Sequence, residues 1–101
     1  MRFLDGLIIE VKSNPNICFE PIQKDLVKIQ EFITQYKYRM GIFLLVNNSK
    51  DRLHRLIAKP SSQEWIRNKL PNRSDILFIS KENHGENPFE CYLDNVPEFN
   101  P

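Results

Sequence analysis

Apolar residues along this chain change their rhythm several times, and each change predicts an element. Residues 7–12, LIIEVK, are rich in β-branched side chains and lie between Asp5-Gly6 and SNPN, the composition and punctuation of a strand. The period then lengthens. In EPIQKDLVKIQEFITQYK, Ile22, Leu26, Ile29, Ile33 and Tyr36 recur three or four positions apart on one face of an amphipathic helix, with Pro21 suited to its first position. MGIFLLVN (40–47) is a continuous apolar run, the pattern of a strand in a sheet covered on both faces. Ser49 predicts the N-cap of a short helix, KDRLHRLIAK, which stops before Pro60. Ser61 and Glu64 have capping-box spacing at the start of SQEWIRNKL, and Pro71 closes that helix. DILFIS (75–80) predicts a third strand, KENHGENP a polar loop, and FECYLD (89–94) an edge strand.

The order β-α-β-α-α-β-(β) predicts an α/β fold: a small mixed sheet with a parallel β-α-β unit and helices packed on it. RFL-DG-LII also fits a tight hairpin, since Asp-Gly is a strong short-turn signal. The chain enters its sheet within six residues of Met1, which fits a protein partner, a homo-oligomer or sequence upstream. An exposed apolar edge of a three-strand sheet is the expected contact surface.

Bulk composition narrows the classes. A chain of 101 residues, 41% hydrophobic and 27% charged, is expected to form one domain over residues 1–101. Its formal charge of +1 sets up no global field for nucleic acid, so such binding needs a local patch. LII and MGIFLLV are far too short to span a membrane, and MRFLDG has no apolar signal region, so a cytoplasmic protein is expected. Cys18 and Cys91 lack metal-ligand spacing and read as reduced structural thiols. His54 and His84 have no partner at ligand spacing, and Trp65 continues the apolar side of its helix. Nucleotide-binding glycine loops and nucleophile elbows are absent from the sequence.

The remaining candidate chemistry centres on the first strand. Alternation sends Glu10 and Lys12 to one side, with Val11 expected to be buried on the other. Both lie at the C-terminal end of a strand that leads into a helix, where open α/β sheets bind ligands. A carboxylate is a hard ligand for Mg²⁺, and an adjacent ammonium can steady a phosphate charge or orient a water. A solvated ion pair at a strand end is the plainer reading of the same residues.

IIEVKSN, the helix IQKDLVKIQEFI and the strand MGIFLLVNN together resemble the later part of the PD-(D/E)xK nuclease superfamily, over residues 5–48. The resemblance implies a restriction-endonuclease-like core hydrolysing phosphodiester bonds of DNA with Mg²⁺ or Mn²⁺. Residues 49–101 would add helices, a further strand and a tail. Glu10 would be a metal ligand, Lys12 the catalytic lysine, and Gln23 or Lys24 a helper near the scissile phosphate. The family's metal-binding aspartate stands on the preceding strand. Asp5 is its counterpart here, although Asp-Gly turn chemistry also explains that residue and a tight turn carries it away from Lys12. Glu20 and Asp25 are the other carboxylates able to approach Glu10. Arg52, Arg55 and Lys59, at i, i+3 and i+7, form a basic stripe suited to phosphate contact or to a solvated helix face. The alternative function is a catalytically inactive nuclease-fold module acting as an assembly subunit.

Overall fold

A turn at Asp5-Gly6 folds the first residues back on the strand that follows. In the computed structural model, which describes residues 2–48, 50–82 and 87–100, β1 (Arg2–Leu4) pairs antiparallel with β2 (Leu7–Lys12). Gly6 takes φ +72°, which a residue without Cβ adopts at little cost. Its carbonyl accepts hydrogen bonds from the N–H groups of Arg39 and Met40, so the turn also fixes where the next strand begins.

Beyond β2 come α1 (Phe19–Gln35), β3 (Met40–Val46), α2 (Lys50–Ala58) and α3 (Pro60–Lys69). A single 3-10 turn, Arg73–Asp75, leads into β4 (Ile76–Lys81), and β5 (Phe89–Tyr92) closes the sheet. The five strands lie in the order β1-β2-β3-β4-β5, with β2, β3 and β4 parallel and the two edge strands antiparallel to their neighbours. The domain is therefore a small mixed α/β fold, and both the N-terminal hairpin and the edge strand anticipated at FECYLD form. Its edges are short, so what the sheet exposes is a face more than an edge.

That face follows from the connections. Both crossovers, through α1 and through α2–α3, step the same way across the sheet, and right-handed crossovers of that kind put every helix on one side. Ile8, Phe43, Leu45, Ile76 and Phe78 point there and are buried with Ile22, Leu26 and Ile29 of α1, Leu53 and Ile57 of α2, and Ile66 of α3. Phe43 and Phe78 stack with ring centroids 4.9 Å apart. Gly41 lets α1 approach closely: a Cβ there would clash with Ile29 Cγ2.

Away from the helices point Leu7, Ile9 and Val11 of β2, Met40, Ile42, Leu44 and Val46 of β3, and Leu77, Ile79 and Lys81 of β4. They are half-buried by one another, and Val11 is 46% exposed. The expectations that β3 is covered on both faces and that Val11 is buried are thus corrected. An apolar run does not reveal on how many sides a strand is covered.

Three boundaries also differ from the sequence pattern. Helix α1 starts at Phe19, placing Pro21 third, which its first turn tolerates because those N–H groups have no partner within the helix. Tyr36 is the C-cap and is exposed, not part of the buried face. Helix α3 opens on Pro60 with Lys59 as N-cap, so Ser61 and Glu64 make no capping box; instead the Ser62 hydroxyl donates to the Leu56 carbonyl at 2.6 Å. The expected caps at Ser49 and the loop residue His84 lie outside the described residues. After β5 the chain runs back along α2: His54 Nε2 lies 2.6 Å from the Pro97 carbonyl, and its ring stacks on Phe89. No described helix is long and apolar enough to cross a membrane.

Candidate functional site

Strand parity places Glu10 and Lys12 on the helix-covered side, in cross-strand rows with Phe43 and Phe78 and with Leu45 and Ser80. The strand thus carries its two charges under α1. Glu10 keeps 12% of its side chain exposed and Lys12 keeps 38%, so Lys12 forms the open side of the cluster.

The third member comes from the helix. Asp25, one residue before the core residue Leu26, is buried, and its Oδ2 lies 3.3 Å from Lys12 Nζ. Glu10 Oε1 is 3.7 Å from the same nitrogen. One ammonium therefore sits within ion-pair range of carboxylates from β2 and α1. The contact to Asp25 is off-angle for a hydrogen bond, which leaves Oδ2 buried without a hydrogen-bond partner.

Two further buried polar atoms among the described residues share this condition, Asn48 Oδ1 and Ser80 Oγ. Both lie toward the C-terminal ends of the parallel strands. Asn48 follows β3, where Asn47 turns the chain with φ +60°. Its side-chain amide donates to the Asn14 carbonyl at 2.6 Å and to the Val46 carbonyl at 3.2 Å, tying the loop after β2 to the end of β3. Ser80 shares a row with Lys12, two strands away, so their backbones are roughly 10 Å apart. A buried polar atom left without any partner costs about 1–3 kcal/mol, so such atoms are met by ordered water, an ion or a bound ligand.

The other expected site residues are placed elsewhere. Asp5 is exposed in the hairpin turn, roughly 16 Å along β2 from Glu10, and its carbonyl accepts from Arg39 Nη2 at 3.3 Å. The structure does not bring it to Glu10. Gln23 stands two residues before Asp25 and so projects from nearly the opposite side of α1, where with Lys24 it borders a groove floored by Val27 and Trp65. Arg52 donates to the Ile17 carbonyl at 3.1 Å and braces the loop before α1. The Arg55 guanidinium lies 5.0 Å from the centre of the Phe99 ring, and Lys59 is exposed between α2 and α3.

Asn48 and Ser80 are buried polar residues that no motif spacing singles out. Ser80 carried a usable signal, because parity along ILFISK assigns it to the same buried side as Ile76 and Phe78. Asn48 carried a fainter one, an Asn-Asn pair closing an apolar strand.

A divalent cation fits the donor set in kind. Mg²⁺ commonly takes one or two protein carboxylates and completes its shell with water and substrate oxygens, and Asp25 Oδ2 is a buried oxygen with capacity to spare. Among the described residues no group of three or more Asp, Glu, His or Cys side chains is placed to hold a metal ion, so Glu10 and Asp25 are the carboxylates that would take part. No protein-family model, curated protein or solved structure matches the chain.

Proposed function

We propose that this chain is a nuclease-like domain of PD-(D/E)xK type, which hydrolyses phosphodiester bonds of DNA in a divalent-cation-dependent reaction. The observation that supports this reading is the Lys12 ammonium within 4 Å of carboxylates from two separate elements, Glu10 on β2 and Asp25 on α1, at the C-terminal end of a parallel strand. Asp25 takes the part that the sequence resemblance assigned to an upstream aspartate.

Glu10 and Asp25 would hold the cation, Mg²⁺ or Mn²⁺, which when bound polarises a phosphoryl oxygen. Lys12 has a flexible stem and an open flank. With the carboxylates engaged, its ammonium is released to donate to a non-bridging phosphate oxygen and offset the charge that builds there. The Ser80 hydroxyl and the Asn48 amide oxygen extend the polar floor across the ends of β3 and β4. The exposed Lys24 and Lys59 are among the cations available to a DNA backbone where the net charge supplies no attraction.

The test is cleavage of supercoiled and single-stranded DNA with Mg²⁺ or Mn²⁺. Wild-type protein should cut, and Glu10→Gln, Lys12→Met and Asp25→Asn should each lose about a hundredfold or more, as expected for removing a transition-state contact. Wild-type protein should also melt higher with Mg²⁺, by about 1.4 kcal/mol at ten times Kd, and Asp25→Asn should not. Uncut DNA would rule out catalysis and leave the inactive nuclease-fold subunit as the reading.

A further inference from the structure

We infer that the helix-free face of the sheet is a dimer interface, and that a second copy of this chain covers it, related by a two-fold axis parallel to β3. This goes beyond the proposed activity, whose residues all lie on the opposite face.

The face is apolar at its centre and charged at its margins. Ile9, Ile42 and Leu77 form one central row, and Val11, Leu44 and Ile79 the next. Register continues the first row outward to Arg2 on β1 and Tyr92 on β5, and the second to Glu90 on β5. Arg2 and Glu90 therefore mark opposite edges of one sheet, and Lys81 lies inboard of β5 beside Val46, one row beyond Ile79.

Charge decides which pairing of faces works. A two-fold axis perpendicular to the strands would lay β1 on β1 and β5 on β5, bringing Arg2 against Arg2 and Glu90 against Glu90. An axis parallel to β3 lays β1 of one copy over β5 of the other. Arg2 then meets the Tyr92 ring, 43% exposed in the single chain, and lies one side-chain row from Glu90 of the second copy. Both edges gain the same contacts, as a two-fold interface requires. Aligned stacking about 10 Å apart is the usual way two such faces pack.

Size supports the same occupant. Strand and row spacings give the face roughly 500 Å², near the upper end of what a monomer leaves exposed and apolar. Two copies would bury about 1,000 Å², the size at which a biological interface begins and the size of a weak, reversible one. The edges offer less, because β1 and β5 have three and four residues.

Sedimentation equilibrium of the full chain from low to high micromolar concentration tests this. The expected result is a reversible dimer of twice the 12.0 kDa chain mass. Leu44→Lys, at the centre of the face, should weaken association about a hundredfold or more, because the lysine would be buried unpaired. Arg2→Glu and Glu90→Arg should each weaken it about twofold to fivefold, and the two together should restore it. The charge swaps are exposed and keep the test valid should Leu44→Lys fail to fold. A monomer at every concentration overturns the inference and gives the face to a different partner. A dimer indifferent to Leu44→Lys overturns it too, and a double swap as weak as the singles overturns the axis.

Discussion

Strand β2 has two sides that reverse the usual division of labour. Toward the helices it sends Ile8 and then Glu10 and Lys12; toward open solvent it sends Leu7, Ile9 and Val11. A half-covered strand selected for stability alone would bury the aliphatic set and leave the charges wet. Here Glu10 is nearly covered while Val11 is 46% exposed. Each side is locally unfavourable in a different way, one by desolvating charge and the other by wetting hydrocarbon. The two faces therefore differ in kind: the covered face ends in a polar cluster, and the open face is the one proposed as the contact surface.

The largest effect should separate the faces by stability. Phe43→Ala, under the helices and stacked on Phe78, should lose about 3–5 kcal/mol in urea denaturation. Its neighbour Leu44→Ala, at concentrations where the chain is monomeric, should lose roughly 1 kcal/mol or less, because its side chain is only half removed from water. Equal losses would mean that the open face is covered within a single chain.

Gly41→Ala probes how tightly α1 presses on the covered face. The new methyl would collide with Ile29 Cγ2, so a loss of about 1–3 kcal/mol is expected. Ile29→Ala in the same chain should recover part of that loss; strictly additive losses would place α1 farther from the sheet.

Ser80 sharpens the polar end of the comparison. Its hydroxyl is buried without a hydrogen-bond partner, so Ser80→Ala should leave stability unchanged or raise it by up to about 1 kcal/mol. A clear loss would show that the hydroxyl is satisfied within the fold and is not held for a ligand.

The smallest effect is chemical. Cys91 pairs with Phe78 on the covered side, and burial pushes its thiol from 9.0 up to about 11, whereas Cys18 is exposed. A thiol reagent at mildly alkaline pH should label Cys18 about tenfold faster or more. The sign of the linkage is fixed: the folded chain resists ionising Cys91, so its contribution is intact below pH 9.0 and fades as pH rises toward about 11. Equal labelling rates would mean that β5 does not stay on the sheet.

Much of the frame was legible because period and punctuation are local properties. LIIEVK is the strand Leu7–Lys12, and Ile22, Leu26, Ile29 and Ile33 are the buried stripe of α1. Asp5-Gly6 makes the hairpin it announces. Capping was less legible, because Ser61 with Glu64 and Pro60 offered two starts for α3 and the chain took the proline, whose fixed φ and missing N–H suit a first position. The site was legible in half. Glu10 and Lys12 follow from alternation along one strand, but Asp25 was only one of three carboxylates that could have joined them. Gln23, two residues earlier, fits the sequence resemblance as readily although it projects from the other side of the helix.

What the sequence determined by itself was the set of elements, the parallel β-α-β order and the shared side of Glu10 and Lys12. These depend on residue spacings of two, three and four. Only the tertiary structure decided that Asp25 meets Lys12 while Asp5 does not, that Ser80 joins the same row, and that one face of the sheet stays open. Those outcomes depend on the handedness of two crossovers and on how α1 is rotated against β2. Neither is encoded in any one segment; both emerge when helices and strands settle against a common core.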